Sequence, residues 1–269
     1  MYDFKSLTSN TKQGYLNSEA LFLYTQNDYI ENLIDGYATI KINSYNALKR
    51  NVSLVNRNFG NGSIFIDSNL PSKEITIDFF LKANSTEELT QKQTALNNLL
   101  FDSQIKFTFQ NLRDWFYVGT VSEIEFESGE LSPHGTITIV CNDPFRYSNE
   151  VVEVNANSTL DTSLGIGKEF KPYELEIQAA ATSALNQKTR YFSPSSSLYF
   201  LGYTGSGTVT YKFDFNKGEL FVNGVKRNEL IDIQSDVSNW KIKQGERFAA
   251  TSMQGITKCV LRFRKKEVG

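Results

Sequence analysis

The sequence predicts a mostly β protein of two domains, a sheet carrying one helix followed by a helix-free β-sandwich. Three observations carry this. A single stretch, 85–100, combines helical periodicity with a cap. A strand of alternating residues over 136–141 stops hard at Asn142-Asp143-Pro144, because proline removes a ladder donor and pushes Asp143 out of the helical region. Beyond that stop, short alternating runs are broken by Asn and Gly turns at close spacing.

Composition sets the bounds. A chain of 269 residues suits one large domain or two ordinary ones, and a hydrophobic fraction of 40% can fill their cores. The aromatic share of 13%, mostly Phe and Tyr, favours strands. A formal charge of −2 argues against a dedicated nucleic-acid binder. No N-terminal stretch joins a basic end to an apolar run, and no apolar run is long enough to span a bilayer. Synthesis and folding in a reducing cytoplasm are expected. Cys141 and Cys259 fall at inward strand positions, so two buried free thiols are favoured over a disulfide.

In chain order, Leu21-Phe22-Leu23 and the run from Ala38 to Ile42 look like short strands, with a tight turn at Asp35-Gly36. From Asn51 to Asn69 the chain is rich in Asn, Gly and Ser. It lacks the Gly-Lys-Ser/Thr and the helix of a phosphate loop, so a long hairpin or arm is expected, with Phe59, Ile64 and Phe65 as its anchors on a neighbouring subunit. Ile75, Ile77, Phe79 and Leu81 alternate with Thr76, Asp78 and Phe80 in a clear strand. Ser85 and Glu88 then fit a capping box. Leu89, Leu96, Leu99 and Leu100 mark the buried helix face; Gln91, Lys92 and Asn97 mark the wet one. Strands follow at 105–109, at 115–119 and at 123–126. In the last, Ile124 and Phe126 point in, and Glu123, Glu125 and Glu127 share the outer face. Ser132-Pro133-His134-Gly135 reads as a turn. A domain boundary is expected between Phe145 and Val154, with Asp143, Pro144, Phe145 and Tyr147 as the seam. After it come strands at 174–178, 197–201, 208–215, 219–222 and one with Cys259, Leu261 and Phe263 inward. Gly218 and Asn223-Gly224 make hairpin turns.

No catalytic constellation is legible. His134 is the only histidine and has no Cys or His at ligand spacing, so neither a zinc site nor a His-dependent nucleophile is expected. Glu123, Glu125 and Glu127 project in parallel from one strand, whereas a glycosidase needs carboxylates facing each other across a cleft. Catalytic residues, cofactor and metal are all expected to be absent.

The order of these elements carries a resemblance. Strand 75–81, the capped helix, strand 105–109, the aromatic strand 115–118 and the run Cys141-Asn142-Asp143-Pro144-Phe145-Arg146-Tyr147 together resemble the distal tail (Dit) proteins of long, flexible-tailed phages of Gram-positive bacteria. The segment from Gly218 to Gly224 looks like that family's second domain. The resemblance implies a tail-tube-like belt domain over 1–147 and a galectin-like β-sandwich over 148–269. It implies a structural hub at the virion tail tip: a homo-hexameric ring joined to the tail tube protein, to a tail-tip or tail-associated lysin protein and to receptor-binding or baseplate proteins. DNA would contact it only in passage, with no membrane involved. Acidic side chains lining the channel would repel the DNA backbone, and Glu123, Glu125 and Glu127 are the candidates. The rival reading is a carbohydrate-binding adhesion module with Trp240, Tyr199, Tyr203 and Tyr211 as stacking platforms; galectin-like shape alone does not decide it.

Overall fold

The computed structural model describes residues 16–57, 61–127, 131–156, 169–181, 188–193, 196–243, 245–246, 248–251 and 256–268. It divides into two compact units, one running to Tyr147 and including Val268, the other from Ser148 to Glu267.

In the first unit, β1 (Leu21–Leu23), β2 (Asp28–Tyr29), the one-turn helix α1 (Ile30–Leu33) and β3 (Tyr37–Asn43) come first. A hairpin of β4 (Asn51–Asn56) and β5 (Ser63–Asn69) follows, then β6 (Lys73–Leu81), α2 (Thr86–Leu99), β7 (Ile105–Phe109), β8 (Trp115–Phe126) and β9 (His134–Cys141). Strands β3, β6, β9 and β8 pair in that order, all antiparallel. Strands β8, β7, β1 and β2 pair in turn. β8 serves both sheets: Tyr117 to Gly119 face β7, and Thr120 onward faces β9. One core lies between them, with Leu21, Leu23, Ile75, Ile77, Phe79, Phe107, Tyr117, Ile137 and Ile139 among its residues. Their alternation places every second side chain of β6, β7 and β9 inside. At Gly135 a Cβ atom would meet Phe79 and the Glu125 carbonyl at 2.4 and 2.5 Å, so only glycine lets β9 approach.

The sequence separates 115–119 from 123–126, but the structure joins them. A register shift between Val121 and Glu123 inserts a bulge. Tyr117 and Val121 face the core before it, Ile124 and Phe126 after it, so the inward parity changes without a break in the strand. His134 opens β9 instead of sitting in the turn, its ring 5.4 Å from that of Phe80.

Helix α2 starts as its sequence dictates. The Ser85 hydroxyl accepts from the Glu88 amide at 3.2 Å. The Glu88 carboxylate reaches back to the Asn84 amide at 2.8 Å, one residue earlier than in the usual box. Leu96 and Leu100 are buried, and Leu89 and Leu99 pack partly against the core. Lys92 is not on a wet face: its ammonium is 2.7 Å from Glu88 and donates to the Lys82 carbonyl at 2.8 Å.

Strand β10 (Phe145–Asn155) runs through the boundary between the units. The second unit continues with β11 (Glu169–Phe170), β12 (Glu174–Ala180), β13 (Lys188–Ser193), β14 (Ser196–Leu201), β15 (Thr208–Asp214), β16 (Glu219–Val222), β17 (Val225–Lys226), β18 (Ile242–Lys243), β19 (Ala249–Thr251) and β20 (Ile256–Val268). One sheet orders β17, β16, β15, β12 and β20. A second orders β14, β13 and β19. Leu175, Ile177, Phe213 and Leu261 from the first and Leu198 and Phe200 from the second share one core, which makes the unit a β-sandwich. Asn223 and Gly224 both have positive φ, 48° and 81°, the type I′ geometry that two-residue hairpins favour. No α-helix occurs among the described residues of this unit.

Candidate assembly surfaces

Four places were singled out by the sequence, and the structure treats them differently. The first is the hairpin β4–β5. Leu54 pairs with Phe65 and Val55 with Ile64, and a bulge sits opposite Ser53 and Leu54. Successive pairs point to opposite faces, so both faces carry apolar side chains. Val52, Leu54, Val55, Ile64, Phe65 and Ile66 are all exposed, Phe65 by 61%. A two-stranded ribbon is marginal in water, and large apolar patches mark interaction sites. Ile64 and Phe65 were legible from the sequence; Phe59 lies outside the described residues. Val52, Leu54, Val55 and Ile66 were missed, although the alternation of Val52 and Leu54 within a polar stretch signals them.

The second place is the acidic face. Glu123 and Glu125 pair with Thr138 and Thr136 on the side of the sheet away from the core, and Glu127 follows; all three are exposed. Thr136 in turn lies opposite Asp78, whose carboxylate accepts from the Asn43 amide group at 3.3 Å. Asp78, Glu125 and Glu127 lie beside the exposed Ile40 and His134 at an open surface depression, while Phe79 and Phe126 on the same strands turn into the core.

The third place is the seam. Asp143 Oδ1 accepts from the Phe145 amide at 3.1 Å, closing an Asx turn around Pro144. The Tyr147 hydroxyl donates to the other Asp143 oxygen, and its ring stacks 5.8 Å from that of Phe116. Burial pushes the Tyr147 phenol above its ordinary value. The Asp-Pro-aromatic-x-Tyr run is thus a self-bonded corner.

The fourth place concerns Trp240 and the tyrosines. Trp240 has no exposed surface and packs against Phe215 and Phe248. Tyr211 is also buried, and its hydroxyl accepts from the Tyr203 amide at 2.8 Å. Neither can stack on a sugar, which corrects their assignment as platforms; Tyr199 and Tyr203 remain half-buried. Cys141 and Cys259 are buried and free, and burial pushes both thiols up to about 12.

An ion network went unread in the sequence. Arg262 bonds Glu153 at 2.6 Å, Glu174, and Glu176 at 2.7 Å, and Lys258 bonds Glu176 at 2.9 Å. The hydrogen bonds from Lys258 and Arg262 hold the Glu176 carboxyl down at about 2. Among the described residues, no group of three His, Cys, Asp or Glu is placed to hold a metal ion, and no helix is long and apolar enough to cross a membrane.

The comparisons with known proteins fit this arrangement. Residues 17–141 match the family described as the phage tail protein RIFT-related domain. The fold of the chain as a whole is that of the distal tail proteins. The crystal structure of the Dit protein of phage SPP1, described as a paradigm of the hub adsorption apparatus in phages infecting Gram-positive bacteria, superposes with a TM-score of 0.68. It is 15% identical and the match covers 93% of this chain and 99% of that one. The baseplate of phage P2 in its activated conformation with Ca gives a TM-score of 0.52 at 8% identity, over 87% of this chain and 91% of that chain. The same baseplate with Sr gives 0.50 at 9% identity, over 85% and 90%. No curated protein matches in sequence. The resemblance read from the sequence is borne out for the fold, and the similar solved structures are phage hub and baseplate proteins.

Proposed function

We propose that this protein is the structural hub of a phage tail tip and not an enzyme. The observation that carries the reading is a tail-protein domain followed by a β-sandwich across almost the whole length of the SPP1 Dit chain. The first domain, 1–147, forms a homo-hexameric ring at the end of the tail tube, joining the tube protein to a tail-tip or lysin protein. The β-sandwich, 148–269, holds receptor-binding or baseplate proteins. The β4–β5 arm, with Ile64, Phe65 and Phe59, bears on a neighbouring subunit, because six exposed apolar side chains on two faces need a cover. Some of the carboxylates of Glu123, Glu125 and Glu127 line the channel, where negative potential keeps the passing DNA from binding. The test is the particle formed by the purified protein with tail-tube protein: a ring capping the tube supports the reading, and the absence of any complex overturns it.

A further inference from the structure

We infer that Asn61, near the tip of the β4–β5 hairpin, is a site of spontaneous deamidation, and that the fold holds the matching pair at Asn223 unreactive. Neither half of this depends on ring formation.

Asn61-Gly62 and Asn223-Gly224 are the two Asn-Gly pairs of the chain. Asparagine is thermolabile, and a following glycine leaves its own backbone nitrogen unobstructed by a Cβ. That nitrogen gives its proton to hydroxide and attacks the Asn Cγ carbon. A nitrogen–carbon bond forms, the carboxamide carbon–nitrogen bond breaks, and ammonia leaves with a proton from water. The product is a five-membered imide. Water then opens it at either carbonyl, giving aspartate or isoaspartate. The balance needs water alone, with no oxidant, metal or enzyme.

The two glycines are equivalent. Gly62 and Gly224 have φ of 91° and 81°, and a Cβ on either would meet nothing within 4 Å. Exposure does not separate the pairs either, since all four residues are exposed. The asparagines differ. The Asn223 side-chain oxygen accepts from the Thr210 amide at 2.9 Å, and the Asn223 amide donates to the Thr210 carbonyl at 2.8 Å. These bonds tie the carboxamide to β15 and fix the turn. Bringing Cγ onto the Gly224 nitrogen rotates the side chain and breaks the bond that it accepts. The Asn61 side chain makes no hydrogen bond to another described residue. The hairpin is closed beneath it by the Ser63 hydroxyl, which donates to the Asn56 side-chain oxygen at 3.1 Å and leaves the Asn61 carboxamide out. Asn61 therefore reaches the attacking geometry without giving up a bond.

The product carries a new carboxylate on the arm, which moves the formal charge of −2 one unit further negative. This shift is the readout. The purified full-length chain is kept dilute at mildly alkaline pH and sampled over time by ion exchange and peptide mapping. Aspartate and isoaspartate accumulate at position 61 at least about tenfold faster than at position 223. In a denaturant that unfolds the chain the two rates converge to within about threefold, because the Thr210 bonds are gone. Asn61→Gln, which cannot form the five-membered ring, removes most of the acidic species from the folded chain. Equal rates at the two positions of the folded chain, or no product at 61, overturn the inference. A rate difference that survives unfolding overturns the protective role of the Thr210 bonds.

Discussion

Replacing Phe65 by serine tests whether the arm holds the ring together. Phe65 is 61% exposed and contributes little to its own unit. Burying a whole Phe side chain is worth about 1.5–3 kcal/mol, so covering three-fifths of it on a neighbour is worth about 1–2 kcal/mol per contact. That corresponds to a factor of about 5–30 in each contact's equilibrium constant. The substitution should therefore raise the midpoint concentration for assembly by about that factor, since every subunit contributes one arm. Folding should not change: the hairpin lies outside the buried core, and the melting temperature should stay within about 2 °C. Sedimentation velocity over a dilution series measures the first quantity and a thermal melt the second. An unchanged midpoint, or a large loss of melting temperature, would refute the reasoning: the arm would be uninvolved, or it would be part of the fold.

Other outcomes follow from the same structure. Leu96 is completely buried on α2, so Leu96→Ala should cost about 2–5 kcal/mol and lower the melting temperature of the first domain by on the order of 10 °C; Leu96→Asp should prevent that domain from folding, and an unchanged melt would remove the helix from the core. Lys258 and Arg262 hold Glu176 at about 2 in the folded state against an ordinary 4.5. A depressed carboxylate stabilises above its unfolded value, so the contribution, at most about 3 kcal/mol, is full above pH 4.5 and lost as pH falls toward 2. Glu176→Gln should flatten the melting temperature of the β-sandwich against pH in that window; a slope equal to the wild type's would show that other groups set it. The fragments 1–147 and 148–269, expressed separately, should each melt cooperatively, and two insoluble fragments would place the boundary elsewhere.

The sequence made most of the first domain legible because its elements are long and regular. Ile75, Ile77, Phe79 and Leu81 fall at every second position, and the Ser85–Glu88 pair announces the helix start. What escaped was what local pattern cannot encode. The bulge at Val121–Glu123 breaks the alternation without ending β8, so one strand read as two. Lys92 looks solvated in one dimension, but folding brings Glu88 and the Lys82 carbonyl to its ammonium. Helix α1 is a single turn, too short for any periodicity to show. In the arm, Ile64 and Phe65 stood out beside a Gly-rich tip. The apolar character of the opposite strand emerged only when the register set Leu54 against Phe65. The network around Arg262 joins β12 to β20, residues far apart in sequence that only the sheet brings together.

The proposed ring at a tail tip is a visible particle. Negative-stain electron microscopy of the purified full-length protein at micromolar concentration, with and without tail-tube protein, tests it most directly. The expected particle is a hexameric ring with an open axial hole, stacked on the tube end when tube protein is present. Monomers under both conditions, or a ring with a closed centre, would contradict it.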